Sequence, residues 1–482
     1  MTKFFGTDGI RGTVGKQPLT PEFFLNIGRS VGKVLISEST ETRILIGRDT
    51  RVSGQMLQSA LVAGLLSSGV NVIDAGIIPS PAVAWLVKNL NLDAGAVISA
   101  SHNPVNQNGV KFFTSDGDKL SEPLEHQIED QIQKYSKLEI NEKRLPGQLI
   151  DGFDLNELYI EALISEHPMK FLDGVNLLLD CSNGAASVIA PKAFHRAGAN
   201  IVAVNSTPTG NNINVKSGSE HARRYPNQLG VMIHNSNALC GMALDGDADR
   251  VVFVEPDGKL IDGDHILGFL AAYLKGQGKL LSNSIVTTSM RNEGLNKYIK
   301  ELQINMYETP VGDKYVVEKL RELPTNEGYA GKFGLGGEQA GHIIILNEEF
   351  TTGDGIRTAL FTLRAFVDSG EKSFVNFASK IRKTPQIIAS ANLGDGPRYN
   401  RDELDELEIM ELKNTSGLSR VNLRYSGTEP IFRTMIEANY ELNELDLAKI
   451  SINLCRKAQY KSGNKDGYID ILNCTQGGMI EL

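Results

Sequence analysis

Short apolar runs alternate along this chain with longer stretches whose apolar residues recur at helical spacing. Ile44-Leu45-Ile46, Asn71-Val72-Ile73 and Ala96-Val97-Ile98 are too short for helices and lack strict alternation, which predicts strands buried on both faces. Between them, residues 53–66 read as a helix stopping at Gly69, and another helix begins near Pro81. The layout recurs as strand 175–179, a helix to Gly198, strand 201–204 and strand 238–244. It recurs again as strand 285–288, a helix to about Leu302, strand 305–307 and helix 315–323. Such alternation predicts α/β units, whose ligands gather at the carboxyl ends of the strands.

The remainder is patterned differently. A strand is expected from about Val375, then a charged helix or linker face over 401–411, a strand at 420–424 and an amphipathic helix over 445–460. These predict a separate, smaller α+β domain. A polar helix within 118–144 closes the first unit, and 463–482 carries no readable pattern. The expected domains are 1–150, 151–254, 255–370 and 371–482.

Each α/β repeat places its most unusual loop after its last strand: Ser99-Ala100-Ser101-His102-Asn103-Pro104, Asp245-Gly246-Asp247-Ala248-Asp249-Arg250 and Gly336-Gly337-Glu338-Gln339-Ala340-Gly341-His342. This correspondence argues for one shared cleft. Pro104 keeps the first loop from becoming a helix, leaving Ser101 free to meet a ligand or carry a covalent group. Strand alternation would point Ser101 and His102 apart, which argues against a hydrolase dyad. In an extended loop Asp245, Asp247 and Asp249 would face one way, and their repulsion calls for a hard cation, Mg²⁺ or Ca²⁺. An EF-hand is excluded, because Arg250 and Pro256 stand where Gly and Glu are required. The bland alternative is a solvated acidic turn, although Arg250 beside the acids is a ready phosphate ligand. An aspartyl-phosphate nucleophile at Asp245 is a further reading of the same loop.

Gly6-Thr7-Asp8-Gly9-Ile10-Arg11-Gly12 brings glycines and one arginine together, either an ordinary turn or an anion grip built on Arg11. Arg424, Ser426, Gly427, Thr428 and Arg433 make a second candidate phosphate cradle, with a capped turn as the alternative. Glu338 is placed to accept hydrogen bonds from sugar hydroxyls, and His342 is a proton shuttle or a structural histidine. Gln339 breaks the dinucleotide fingerprint begun at Gly334, and no Walker loop occurs.

Composition narrows the class. With 482 residues, three or four domains are expected. A net charge of -9 argues against nucleic acid and anionic membrane as partners. The start has no apolar segment of signal-peptide length, and no run approaches the ~20 residues of a membrane span. Four well-separated cysteines without a C-x-x-C pair predict free thiols in a reducing cytoplasm. A serine, an acidic triad, two phosphate grips and a hydroxyl reader together make a kit for moving phosphoryl groups on a sugar.

With these loops in this order, the chain resembles the α-D-phosphohexomutase superfamily, and within it the bacterial phosphoglucosamine mutases. The likeness spans roughly Lys3 to Ala438. It implies three similar mixed-sheet α/β domains and a smaller C-terminal TATA-binding-protein-like domain around one cleft. It further implies a phosphorylated Ser101, one Mg²⁺ held by Asp245, Asp247, Asp249 and that phosphate, and Lys111 or His342 as general acid and base. Arg11 and Arg250 would steady the reacting phosphate, with Arg424 and Ser426-Gly427-Thr428 on the other one. The implied reaction interconverts glucosamine 6-phosphate and glucosamine 1-phosphate through a hexosamine 1,6-bisphosphate, feeding cell-wall synthesis; a homodimer is also implied. Other hexose phosphates are the alternative substrates, and a non-catalytic sugar-phosphate sensor is a third reading. Three departures from the family pattern stand out. Ala340 replaces a serine, losing a hydroxyl contact of about 0.5–1.5 kcal/mol. Lys314 replaces an arginine, and Ala248 replaces a glycine, the last expected to be harmless.

Overall fold

The computed structural model describes residues 4–6, 8–35, 41–134, 145–323, 329, 331–426 and 430–481. Four sheets divide the chain. The first is ordered Ile10–Thr13, Gln107–Thr114, Ala94–Ile98, Arg43–Arg48, Asn71–Ile77, Leu149–Asp151. Its last four strands are parallel, and its first three are joined antiparallel. The second runs Leu260–Ile261, Val251–Val254, Gly241–Leu244, Asn176–Asp180, Asn200–Val204, and the third Asn305–Thr309, Leu280–Thr288, Phe333–Gly337, Ile343–Leu346. Both repeat the plan of a parallel core ending in an antiparallel return. The fourth sheet, Leu418–Tyr425, Ile431–Ala438, Gln386–Asn392, Ile469–Asn473, is wholly antiparallel.

The shared device is a hairpin. Ala94–Ile98 returns as Gln107–Thr114, Gly241–Leu244 as Val251–Val254, Phe333–Gly337 as Ile343–Leu346, and Leu418–Tyr425 as Ile431–Ala438. Each unusual loop lies at such a return. The strands feeding the first two loops are buried throughout, because helices cover both faces, and this explains their unbroken apolar runs.

One continuous cluster of buried side chains, including Val83, Leu179, Phe253, Ile285 and Leu360, runs through the first three units. The fourth has its own core around Ile387, Leu423, Phe432 and Leu454. Phe374, Phe377 and Ile381, ahead of its sheet, belong to the shared cluster, and polar contacts add to the junction with the third: Lys383 pairs with Asp262, Asn292 Nδ2 donates to the Thr384 carbonyl at 2.9 Å, and Arg420 donates to the Arg291 carbonyl at 2.8 Å. A seam of this kind allows relative domain motion.

Two expectations change. Val375 lies in a short helix, Phe374–Ala378, because Phe374 and Phe377 are both buried at a three-residue spacing; the strand begins only at Gln386. The unpatterned tail supplies the edge strand Ile469–Asn473. The charged stretch is a helix, Arg401–Asn414, with a capping box between Asn400 and Glu403 and Leu404 as its buried residue.

The helices Pro21–Leu35 and Val52–Ser67 cross at two glycines. A Cβ on Gly64 would sit 2.2 Å from the Leu25 carbonyl oxygen, and one on Gly28 2.3 Å from that of Leu61. Gly-to-Ala in a helix usually stabilises by about 1 kcal/mol. Here Gly64→Ala is expected to lower the denaturation midpoint, at a cost of ~1–3 kcal/mol from overpacking. An unchanged or raised midpoint in urea would refute the close crossing.

Candidate active site

Ser101 sits at the first return with φ 51°, in the left-handed region, and is fully buried. Its Oγ donates to Asp245 Oδ2 at 2.5 Å, and its N–H donates to Ser99 Oγ at 2.9 Å. The second unit is brought alongside by Asn214, which donates to the Ser101 carbonyl at 2.8 Å, and by Gly246, packed against the same oxygen. The first unit reaches back through Ser80, whose Oγ donates to Asp247 Oδ2 at 2.6 Å.

Asp245, Asp247 and Asp249 each offer an oxygen within 4.8 Å of the others, and all are buried. Burial, reinforced by Asp249 and Asp247, pushes the Asp245 carboxyl well above the usual carboxylate range. Burial acts the same way on Asp249, but Lys111 and His342 beside it hold its carboxyl well below that range. Asp247 Oδ1 and Asp249 Oδ1 are buried and make no hydrogen bond. Three hard oxygen donors, two with unspent lone pairs, fit a divalent cation such as Mg²⁺.

Cations surround the acids. Lys111 Nζ lies 2.8 Å from Asp247 and 3.1 Å from both Asp249 and Asp8. Burial opposes its charge, yet these carboxylates raise it well above an ordinary lysine. His342 is held between Asp249, 3.6 Å from Nδ1, and Asp313, 3.3 Å from Nε2; against its burial they raise it above the usual histidine value. Arg11 pairs with Asp8 and reaches the Ala100 carbonyl at 3.4 Å. The Arg250 backbone donates to Asp245 at 3.1 Å, while its side chain feels Asp249, Asp245 and Glu338.

Farther along the cleft, Glu338 accepts from the Gly312 N–H at 3.0 Å, tying two loops of the third unit together. On the fourth sheet Arg424 and Arg433 are direct cross-strand partners. Burial and the charge of Arg433 lower the Arg424 value, opposed by Glu338 of the third unit. Like charges placed opposite each other destabilise a sheet unless an anion joins them. Ser426 closes the strand by donating its N–H to the Ile431 carbonyl at 2.9 Å. Gly427 and Thr428 lie outside the described residues.

Three family models match the chain: phosphoglucomutase/phosphomannomutase alpha/beta/alpha domain I at residues 2–139, domain II at 157–258 and domain III at 262–383. The chain belongs to the phosphohexomutase family. Among its relatives are a phosphoglucosamine mutase of Shouchella clausii, 42% identical over 91% of this chain and 95% of its own length, and one of Clostridium kluyveri, 41% identical over 96% and 100%. Solved structures share the fold. A phosphoglucomutase/phosphomannomutase family protein of Burkholderia thailandensis has a TM-score of 0.74 at 22% identity over 95% of this chain and 98% of its own. An Aspergillus fumigatus N-acetylphosphoglucosamine mutase in complex with GlcNAc-6P and magnesium has a TM-score of 0.60 at 14% identity, over 96% of each chain.

Within this phosphohexomutase site, three local expectations are corrected. Ser101 and His102 do not point apart, because the left-handed Ser101 abandons strand alternation; their side chains approach to 3.4 Å. The serine hydroxyl nevertheless donates its hydrogen bond to Asp245, and burial followed by Arg250 depresses His102 to about 3. The three acids converge through a turn, not an extended loop. Ala248 stands in that turn at φ 59°, a conformation that strains a non-glycine residue by ~1–2 kcal/mol, so the exchange is not free.

Sequence reasoning also missed a relay of charges. Lys119 pairs with Asp8 at 2.6 Å and Asp313 at 2.5 Å, linking the first unit to the third. Asp8 and Asp313 stood inside noted motifs, whereas nothing local distinguishes Lys119. Lys314 reaches toward Glu122, 3.7 Å away in the first unit.

A Cβ on Gly246 would lie 2.6 Å from the Ser101 carbonyl oxygen, forcing the two loops apart. Gly246→Ala should keep the fold and cut mutase turnover ~10–100-fold through misplacement alone. A variant running at the wild-type rate in a steady-state assay would show that the loops need not touch.

Proposed function

We propose that this phosphohexomutase interconverts glucosamine 6-phosphate and glucosamine 1-phosphate by way of a phosphorylated Ser101. The observation that carries the reading is the Ser101 Oγ bonded to one acid of a buried triad, amid cations drawn from three units. Relatives at 40–43% identity over more than nine-tenths of the chain, each a phosphoglucosamine mutase, support the choice of sugar.

In the first half-reaction the P–Oγ bond of phospho-Ser101 breaks as a new P–O bond forms to the free sugar hydroxyl. That hydroxyl gives its proton to a neighbouring base, for which Lys111 and His342 are the candidates once deprotonated. The resulting hexosamine 1,6-bisphosphate turns over in the cleft, and its other phosphate returns to Ser101. Mg²⁺ on Asp245, Asp247, Asp249 and the serine phosphate would neutralise charge on the phosphoryl oxygens. Arg11 and Arg250 steady that phosphate, Glu338 reads the sugar hydroxyls, and Arg424, Arg433, Ser426, Gly427 and Thr428 hold the phosphate that is not reacting. We take the enzyme to be a homodimer working in the cytoplasm, with its four cysteines as free thiols.

Ser101→Ala should lose at least ~10³-fold in turnover, because the covalent carrier is gone, and mass spectrometry should find alkali-stable phosphate on Ser101 of the wild type. Full activity in the alanine variant would sink the carrier assignment. Arg424→Ala should act chiefly on binding, raising KM ~10-fold or more by loss of a charge-assisted contact. Competing glucosamine, glucose and mannose phosphates in one assay should favour glucosamine; preference for another sugar would overturn that choice alone.

A further inference from the structure

One guanidinium outside the reacting groups holds the whole backbone of the serine loop. Arg51 follows the strand Arg43–Arg48, and its side chain is completely enclosed. Its Nε donates to Asp49 Oδ2 at 2.9 Å. Its two terminal nitrogens donate to three carbonyls of the loop: Ser101 at 2.9 Å, Asn103 at 2.8 Å and Pro104 at 2.7 Å. Asp49 completes the clamp, since Oδ2 also accepts from Ser99 Oγ at 2.7 Å and that hydroxyl accepts the Ser101 N–H. Both sides of the Ser101 backbone are thus tied to one buried ion pair.

Nothing in the fold of the first unit requires this. A buried arginine could be satisfied by any carbonyls, and an ion pair with no exposure is costly in itself. Three carbonyls from one four-residue span mean that the ion pair determines the conformation of that span. Ser101 needs such a hold, because its φ of 51° is unfavourable for a residue with a Cβ. Turning the Ser101 carbonyl onto Arg51 also turns the His102 N–H, across the trans peptide, away from it. Asn214 of the second unit grips two of the same carbonyls, Ser101 at 2.8 Å and Asn103 at 3.0 Å.

We infer that Arg51, backed by Asp49, is a positioning residue for phosphoryl transfer: it fixes the serine loop so that Oγ stays aimed at the aspartate triad. The inference rests on the reading of Ser101 as the phosphoryl carrier. Lysine keeps the charge but cannot span three carbonyls in a plane, so Arg51→Lys separates the fork from the charge. The sugar-reading and phosphate-gripping residues do not touch Arg51, so a positioning role should appear in kcat and not in KM.

The test compares Arg51→Lys with Leu61→Ala, a core truncation in the helix that follows Arg51, and with Ser101→Ala. Each is measured for denaturation midpoint, kcat, KM and single-turnover transfer from the phosphorylated enzyme. Arg51→Lys should lose ~30-fold or more in kcat and in single-turnover rate, with KM within about threefold, while Leu61→Ala loses midpoint but keeps its kcat. A kcat within about threefold of wild type, or a loss carried by KM, overturns the inference. Should Arg51→Lys fail to fold, Ser99→Ala, which removes the hydroxyl joining Asp49 to the Ser101 N–H, serves in its place, with an expected ~5-fold fall in kcat at constant KM; an unchanged kcat overturns the inference. If Ser101→Ala is active, the carrier reading fails; if it is inactive while Arg51→Lys turns over normally, only the positioning role fails.

Discussion

Charge balance around one buried hydroxyl governs this structure. Asp8, Asp245, Asp247, Asp249 and Asp313 crowd the space around Ser101, answered by Arg11, Lys111, Lys119, Arg250 and His342. Neither set would persist without the other, since an unpaired charge in such a place costs several kcal/mol. Five acidic side chains thus stand against four permanent cations and a histidine. A phosphoryl group on the serine adds about two negative charges, and a divalent cation adds two positive ones. On the proposed reading of Ser101 as the phosphoryl carrier, gaining or losing that pair together would leave the balance unchanged.

The balance also explains the domain arrangement. The first unit brings an excess of cations to the site and the second an excess of carboxylates. The first supplies the serine, Arg11, Lys111, Lys119 and Asp8, the second the triad and Arg250, and the third Asp313 and His342. Their mutual pairing reinforces a shared apolar core that already fuses the three. The fourth unit has a core of its own from Gln386 onward, although Phe374, Phe377 and Ile381 ahead of it lie in the shared one. Its sheet sets Arg424 and Arg433 opposite each other, and Glu338 of the third unit offsets part of their repulsion. Backbone bonds also join the fourth unit to the second, the Gly478 and Met479 N–H groups donating to the Arg223 and Arg224 carbonyls at 2.8 and 3.1 Å.

Much of the plan was legible along the chain, because short doubly apolar strands followed by Gly-stopped helices are a local signal. The three repeats, their carboxyl-end loops and the acids, serine and arginines within them all followed from it. Conformations that depend on partners were not legible. His102 was misjudged because the left-handed Ser101 is enforced by Arg51 and Asp49, about fifty positions away. The short helix at Val375 is held by aromatic packing of Phe374 on Phe366 and on Phe253, the latter a contact no window of sequence contains.

By itself the sequence determined the kinds of groups present and their spacing within each loop, since hydrophobic periodicity and turn residues act over a few positions. Tertiary structure alone decided that an acid from the second unit receives the serine's hydrogen bond. It also decided that Lys111 neutralises carboxylates of that unit, and that Lys119 bridges the first unit to the third. The reason is physical: electrostatic pairing acts through space, and its strength depends on a burial that exists only once the units have packed together.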